Sequence, residues 1–146
     1  MSLHMERKQM YSLTVCDHIM IAHSFHGEEF GPAQRLHGVT FAVEAEFRSP
    51  TIDHHQLLVD IALAKTELRR VLDTVDYSNL DENPGLQEVN TTTEYMAFHI
   101  HRLLAAACAA GRLGLGGRTV SWLKILLREA PTAWAAFEGP LNLEEP

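Results

Sequence analysis

Cysteine is scarce in this chain of 146 residues: only Cys16 and Cys108 occur, with no CxxC pair. That excludes a disulfide framework and fits a reducing compartment. Positive charge is also short. Twelve Lys and Arg stand against nineteen Asp and Glu, a net charge of −7. Phosphate backbones call for a basic surface, so no nucleic acid is expected as a partner, whereas a small ligand is compatible. Long apolar runs are missing. The longest, LLAAACAA at 103–110, is far below the roughly 20 residues of a membrane span, and MSLHMERKQM at the start lacks the apolar core of a leader. The expectation is a cytoplasmic protein with no membrane partner. A phosphate loop is absent too. GRLGLGG at 111–117 follows a helical pattern instead of joining a strand to a helix, so it reads as a turn.

What is present is ordinary globular material, 46% hydrophobic and 21% charged, enough for one domain with a real core. The expected domain is 1–146, with 1–10 and 139–146 as tails. Residues 11–25 carry Leu13, Val15, Ile19, Ile21, His23 and Phe25 on one parity, a strand with one buried face that Asp17 interrupts. Residues 37–48 alternate most clearly, with Val39, Phe41, Val43, Ala45 and Phe47 on one face. From His55 to Val75 the period becomes helical, through Leu58, Ile61, Lys65, Leu68, Val71, Leu72 and Val75.

A turn-rich stretch, DYSNLDENPGLQEVN, leads to a second helix. Thr91 and Glu94 have capping-box spacing there, Met96, Ile100, Leu103, Leu104 and Ala107 form its stripe, and Gly111 stops it. RTVSWLKILLRE and TAWAAFEG read as two more strands around Pro131. The order is strand, strand, helix, helix, strand, strand. The predicted fold is α+β, a four-stranded antiparallel sheet with two helices on one face.

Nine histidines are many for this length. His23 ends the first strand and His37 opens the second, both on the apolar parity, so antiparallel pairing brings the imidazoles together. Two histidines fall short of a catalytic zinc site, which takes three protein ligands plus water. On a strand the third ligand belongs at i+2 from His37, and Val39 is there. The simpler reading is two satisfied, half-buried histidines. His26 is the one plausible substitute ligand. His99 and His101 diverge on a helix, His18 has the opposite parity to His23, and His54 and His55 precede a helix. Cys16 and Cys108 have no obvious activating neighbour. Asp76 and Tyr77 either supply acid–base groups or cap a turn. Glu129, ending a strand, offers a carboxylate to a planar guanidine-like edge or is a plain strand-end charge. Thr92 and Thr93 stand where free backbone donors gather at a helix start.

In this order, the features resemble the 6-pyruvoyltetrahydropterin synthase family, which includes the 6-carboxy-tetrahydropterin synthases, over roughly residues 13–137. His23 matches the histidine that ends the family's first strand. GPAQRLHGVTF is similar to its Cys-containing loop and HGHNY-type strand start. DIALAK resembles DFxxLK, keeping Asp60 and Lys65. VDYSNLDENPG resembles LDHxxLN…PG, with Asp76, Leu80, Pro84 and Gly85 in place. TTTEYMA resembles PTxENxA through Thr92, Glu94 and Ala97, and LLREAPTAW resembles the late ET strand end through Glu129.

The resemblance implies the tunnelling fold and a homohexamer of two stacked trimeric barrels, with pockets between subunits. It implies a pterin gripped by Glu129 with help from Thr92 and Thr93. It also implies three zinc-binding histidines, of which His23 and His37 match two while Val39 replaces the third. The family's cysteine, a few residues before the HGHNY motif, has no counterpart between Gly31 and Leu36; Ala33 or Gly31 holds its place. A branch using a Glu there is not matched either, since Arg35 stands in that position, and the Asp-His pair becomes Asp76-Tyr77. The expectation is a divergent homologue that binds a pterin-like heterocycle, holds no cofactor and lacks the standard lyase reaction. The alternatives are an active synthase with a substituted zinc ligand and a non-catalytic oligomeric interaction protein.

Overall fold

The computed structural model describes residues 9–114 and 119–141. Strand β1 (Tyr11–His23) and strand β2 (His37–Ser49) pair antiparallel over their whole length, from Tyr11 opposite Ser49 to His23 opposite His37. Strand β4 (Trp122–Ala130) adds to β2, and β5 (Ala133–Pro140) adds to β4, both antiparallel. A two-residue strand, β3 (Ser78–Asn79), pairs parallel with Ile21 and Ala22 on the other side of β1. The sheet order is β3-β1-β2-β4-β5, five strands instead of four, and the added one is parallel. A two-residue strand inside a turn-rich segment is too short to show a period-2 pattern.

The strand patterning sets which face is buried. Val15, Ile19, Ile21, Phe41, Val43, Ala45, Phe47, Leu123, Ile125 and Leu127 point inward and are buried. Helices α1 (Ile61–Asp73) and α2 (Thr93–Ala109) cover them with Leu68, Val71, Leu72, Met96, Ile100 and Leu104. Burying side chains of this size contributes about 1.5–3 kcal/mol each. Asp17, the one acid on the inward parity of β1, is answered by Arg69 of α1, with Nη1 3.0 Å from Oδ1.

The helix starts differ from the sequence expectation. Helix α1 begins at Ile61, not near His55, because the Asp60 carboxylate caps it by accepting from Leu63 N at 3.0 Å. Residues 53–57 form a turn instead, in which Asp53 accepts from the amides of His55 and Leu57. Helix α2 is capped by Thr92, whose hydroxyl accepts from Tyr95 N at 3.2 Å; Thr91 lies one residue too early. Gly111, with φ 76°, ends α2 as expected. Strand β5 runs to Pro140 and Leu141 is buried, so the sheet continues past 139, where a tail was expected. The remaining tail segments, 1–8 and 142–146, and residues 115–117 of the glycine-rich turn lie outside the described residues. Among the described residues no helix is long and apolar enough to cross a membrane.

Candidate functional site

The register of β1 and β2 makes His23 and His37 direct cross-strand partners at one end of the sheet. Their ring centroids are 4.6 Å apart at 61°, an edge-to-face contact. His23 is 2% exposed and its Nδ1 is 3.0 Å from the Thr91 hydroxyl. Burial and the neighbouring His37 hold the His23 pKa below the usual 6.5. The contact with Thr91 and the carboxylates of Asp81 and Glu129 pull the other way. His37 Nδ1 lies 2.8 Å from the Arg35 carbonyl. A carbonyl only accepts, so neutral His37 carries its proton on Nδ1 and presents the Nε2 lone pair.

The loop between the strands folds over this pair. Phe25 packs 4.6 Å from His23 and 5.6 Å from His37, and Phe30 packs 4.9 Å from Phe25. Phe25 N donates to Ala33 O at 3.0 Å, and Gly31, at φ 54°, turns the chain inside the 3-10 segment Glu28–Gln34. Asp81 anchors the loop start by accepting from Ser24 N and Oγ. Asn90 clamps the backbone of His26, its Oδ1 accepting from His26 N at 2.7 Å and its Nδ2 donating to His26 O at 3.0 Å.

Among the described residues this donor set offers two imidazoles, one fewer than the three protein ligands that a catalytic zinc site takes. Val39 occupies the one position on the strand face that could add a third imidazole, packing its side chain against the core. His26 is exposed and does not join the pair, and among the described residues no three His, Cys, Asp or Glu side chains converge as a metal-binding group.

Glu129 enters from the next strand pair. The β4–β5 register passes from Arg128 opposite Trp134 to Ala130 opposite Ala133, so Glu129 is the extra residue of a β-bulge. Bulges bend a strand end and re-aim its side chains. Here the bulge brings Glu129 to the start of α2, where Thr93 Oγ1 donates to Oε2 at 3.2 Å. The positive end of the helix favours a carboxylate in that position. The other oxygen, Oε1, makes no hydrogen bond among the described residues. A groove of about 570 Å³ runs between His37, Val39 and Thr40 on one side and Glu129, Ala130 and Ala133 on the other. Thr93 is thus tied to the Glu129 carboxylate, while the Thr92 hydroxyl is committed to capping.

Asp76 and Tyr77 lie elsewhere, at the outer edge of β1. Asp76 Oδ1 accepts from Met20 N at 2.9 Å and from Tyr77 N at 3.0 Å, and Oδ2 accepts from Arg69 Nη2 at 2.7 Å. Tyr77 N donates to Met20 O at 2.7 Å, its φ is 54°, and its side chain is exposed. Within one chain these two residues cap a turn and cover a stretch of open strand edge. His99 and His101 are engaged structurally: His101 Nε2 meets Leu123 O at 3.1 Å and His99 Nδ1 accepts from Arg102 at 3.1 Å. Cys16 is exposed, and Cys108 is buried with its pKa pushed up to about 12 by burial.

Sequence reasoning missed three partners here: Asp81 behind Ser24, Thr91 behind His23, and the Glu129 bulge. The first two come from chain segments far apart in sequence. The bulge had a faint signal, an acid breaking the alternation of WLKILLRE just before Pro131.

A family model described as 6-pyruvoyl tetrahydropterin synthase matches residues 12–140. The fold is similar to that of 6-pyruvoyl tetrahydropterin synthase from Caenorhabditis elegans, with a TM-score of 0.74 at 23% identity over 92% of this chain and 99% of that one. It is similar to the Plasmodium vivax 6-pyruvoyl tetrahydropterin synthase, with 0.71 at 18% over 90% and 99%. The Plasmodium falciparum synthase gives 0.64 at 14% over 90% and 98%. No curated protein sequence matches the chain.

Proposed function

Since the chain belongs to the 6-pyruvoyl tetrahydropterin synthase family, we propose that it binds a pterin-like heterocycle without carrying out the family's zinc-dependent synthase reaction. The observation that carries this reading is the Glu129 bulge. It holds a carboxylate against Thr93 at a helix start, one oxygen open, at the wall of a groove large enough for a bicyclic ring. A carboxylate accepts paired hydrogen bonds from an N–H/NH2 edge such as the amino-pyrimidine of a pterin or guanine. The pterin-binding residues proposed are Glu129, Thr93 and, through the helix start that it caps, Thr92.

The chemistry side supports the negative half of the proposal. Zinc-assisted proton transfer needs a metal with three protein ligands and a base of suitable pKa beside the reacting carbon. Val39 stands at the third ligand position, and residues 31–36 hold no cysteine. Arg35 stands where a glutamate would serve. Tyr77 stands where the family has its relay histidine, so no imidazole is present at that position. His23 and His37 are read as remnants of a metal site, and Asp76 and Tyr77 as the remnant of an Asp-His pair.

Assembly into a homohexamer is part of the proposal. β3 covers only Ile21 and Ala22 of the outer edge of β1, and no strand lies beyond β5 among the described residues. Open edges call for pairing or protection. Light scattering on the purified protein tests the mass.

The test of binding is a thermal-shift titration with neopterin, biopterin and guanine, repeated on Glu129→Ala. Ligand at 100 times its dissociation constant stabilises the fold by about 2.7 kcal/mol. A shift abolished by Glu129→Ala supports the reading. No shift with any heterocycle transfers the weight to an interaction protein, and turnover of dihydroneopterin triphosphate by zinc-loaded protein restores the synthase reading.

A further inference from the structure

We propose a second ligand site, in the helix layer, that takes a small carboxylate with an apolar body. It is independent of the heterocycle reading. A groove of about 210 Å³ lies between the last turn of α1 and the last turns of α2, and it shares no residue with the Glu129 groove. Val71 and Ala107 are buried in its lining, Leu103 is half-buried, and Ala106 is exposed. Alanines at 106 and 107 leave open the space that larger side chains would fill between two packed helices. The rest of the lining is Arg70, Arg112 and Thr74, all three exposed. An apolar concavity with a few placed polar groups is the usual form of a small-molecule site.

The two guanidiniums are held differently. Arg70 Nε donates to Glu67 Oε2 at 2.7 Å, and Glu67 is buried. That bond orients the Arg70 fork, whose terminal nitrogens make no hydrogen bond among the described residues. The backbone N–H of Arg112 donates to Ala107 O at 3.0 Å, and its side chain makes no hydrogen bond or ion pair among the described residues. The Thr74 hydroxyl donates to Val71 O at 2.6 Å, so its proton is not offered to a ligand. Glu67 offsets one of the two positive charges, which suits the groove to a monoanion. A guanidinium meets a carboxylate through paired N–H donors. Val71, Leu103 and the alanines give an alkyl chain or a ring its apolar contact, and the volume is too small for a peptide helix.

The test is isothermal titration of the assembled full-length protein with octanoate, octanamide and acetate. Octanoate is expected to bind saturably. Octanamide, which lacks the charge, and acetate, which lacks the chain, are each expected to bind at least about tenfold more weakly. Arg112→Gln removes the guanidinium and is expected to weaken octanoate about tenfold. Ala106→Leu fills the groove and is expected to weaken it at least as much. Both positions are exposed, and an unchanged Tm without ligand checks that each variant is folded. Glu129→Ala is expected to leave octanoate affinity as in wild type. Absence of saturable octanoate binding overturns the inference, as does octanamide binding equally well. Affinity unchanged in either groove variant, or lost in Glu129→Ala, places the ligand elsewhere and overturns it too. None of these outcomes bears on heterocycle binding, which has its own titration.

Discussion

His23 and His37 face each other across the β1–β2 ladder with their imidazoles edge to face at 4.6 Å, and the next inward position on β2 is Val39. The two rings each have Nδ1 engaged, by Thr91 and by the Arg35 carbonyl, and supply two of the three protein donors that a catalytic zinc site takes. Val39→His supplies the third on the same side of the strand. The expected outcome is about one zinc retained per chain after dialysis in Val39→His, with wild type retaining a small fraction of that. Metal content by mass spectrometry and a zinc-dependent rise in Tm read the result. Stoichiometric zinc in the wild type would sink the reading of a reduced metal site.

Thr91 and Thr92 separate two jobs that the sequence pattern merges. Thr92 caps α2, so Thr92→Ala is expected to cost about 1 kcal/mol of stability. Thr91 is buried and bonded to His23. Thr91→Val keeps its shape and removes the hydroxyl, which leaves helix capping intact and shifts the His23 ring resonances in an NMR titration. If Thr91→Val instead destabilised the start of α2, seen as faster amide exchange at Tyr95, the assignment of the cap would be wrong.

This pair also shows how far the sequence could be read. The alternation of β2 and the stripes of α1 and α2 are local signals, and each of these elements forms within the segment its period marks, although α1 starts only at Ile61, where Asp60 caps it. The cap of α2 was misplaced by one residue because TTT offers three equivalent hydroxyls, and only the fold decides which of them His23 claims. The groove combined both cases. Glu129 and His37 are visible as residues, but their meeting depends on β4 pairing with β2 and on a bulge that no period records. β3 was missed for the same reason, since its two residues owe their extended pairing to Asp76 and Tyr77 holding the edge of β1.

Arg69 organises that edge. It meets Asp17 at 3.0 Å, Asp73 at 2.9 Å and Asp76 at 2.7 Å. Asp73 is well exposed and contributes little. Asp76 is nearly buried, so Arg69→Ala leaves a carboxylate without its counter-charge. The expected loss is about 1–3 kcal/mol in denaturant unfolding. Asp76→Asn, which keeps an acceptor for Met20 N and Tyr77 N, is expected to lose less. Equal losses in the two variants would mean that the charge pair is not what holds the turn.

Acid sensitivity follows from the buried histidines. His99 and His101 have pKa values below the usual 6.5, His99 through burial and then Arg102, His101 through burial against the opposing hydrogen bonds to Leu123 and Gly139. A histidine with a lowered folded pKa takes up its proton more readily when unfolded. Its stabilising contribution is therefore complete above pH 6.5 and is lost as the pH falls from 6.5 through the folded value. Each such histidine contributes a slope of at most about 1.4 kcal/mol per pH unit in that window. His23 has the same sign. Urea unfolding from pH 7.5 to 5 is expected to show falling stability, with a shallower slope in both His99→Gln and His101→Gln. The comparison is of slopes, so a loss of stability in either variant at pH 7.5 does not disturb it. Slopes unchanged in both variants would take His99 and His101 out of the acid limb and leave it to His23 and the carboxylates.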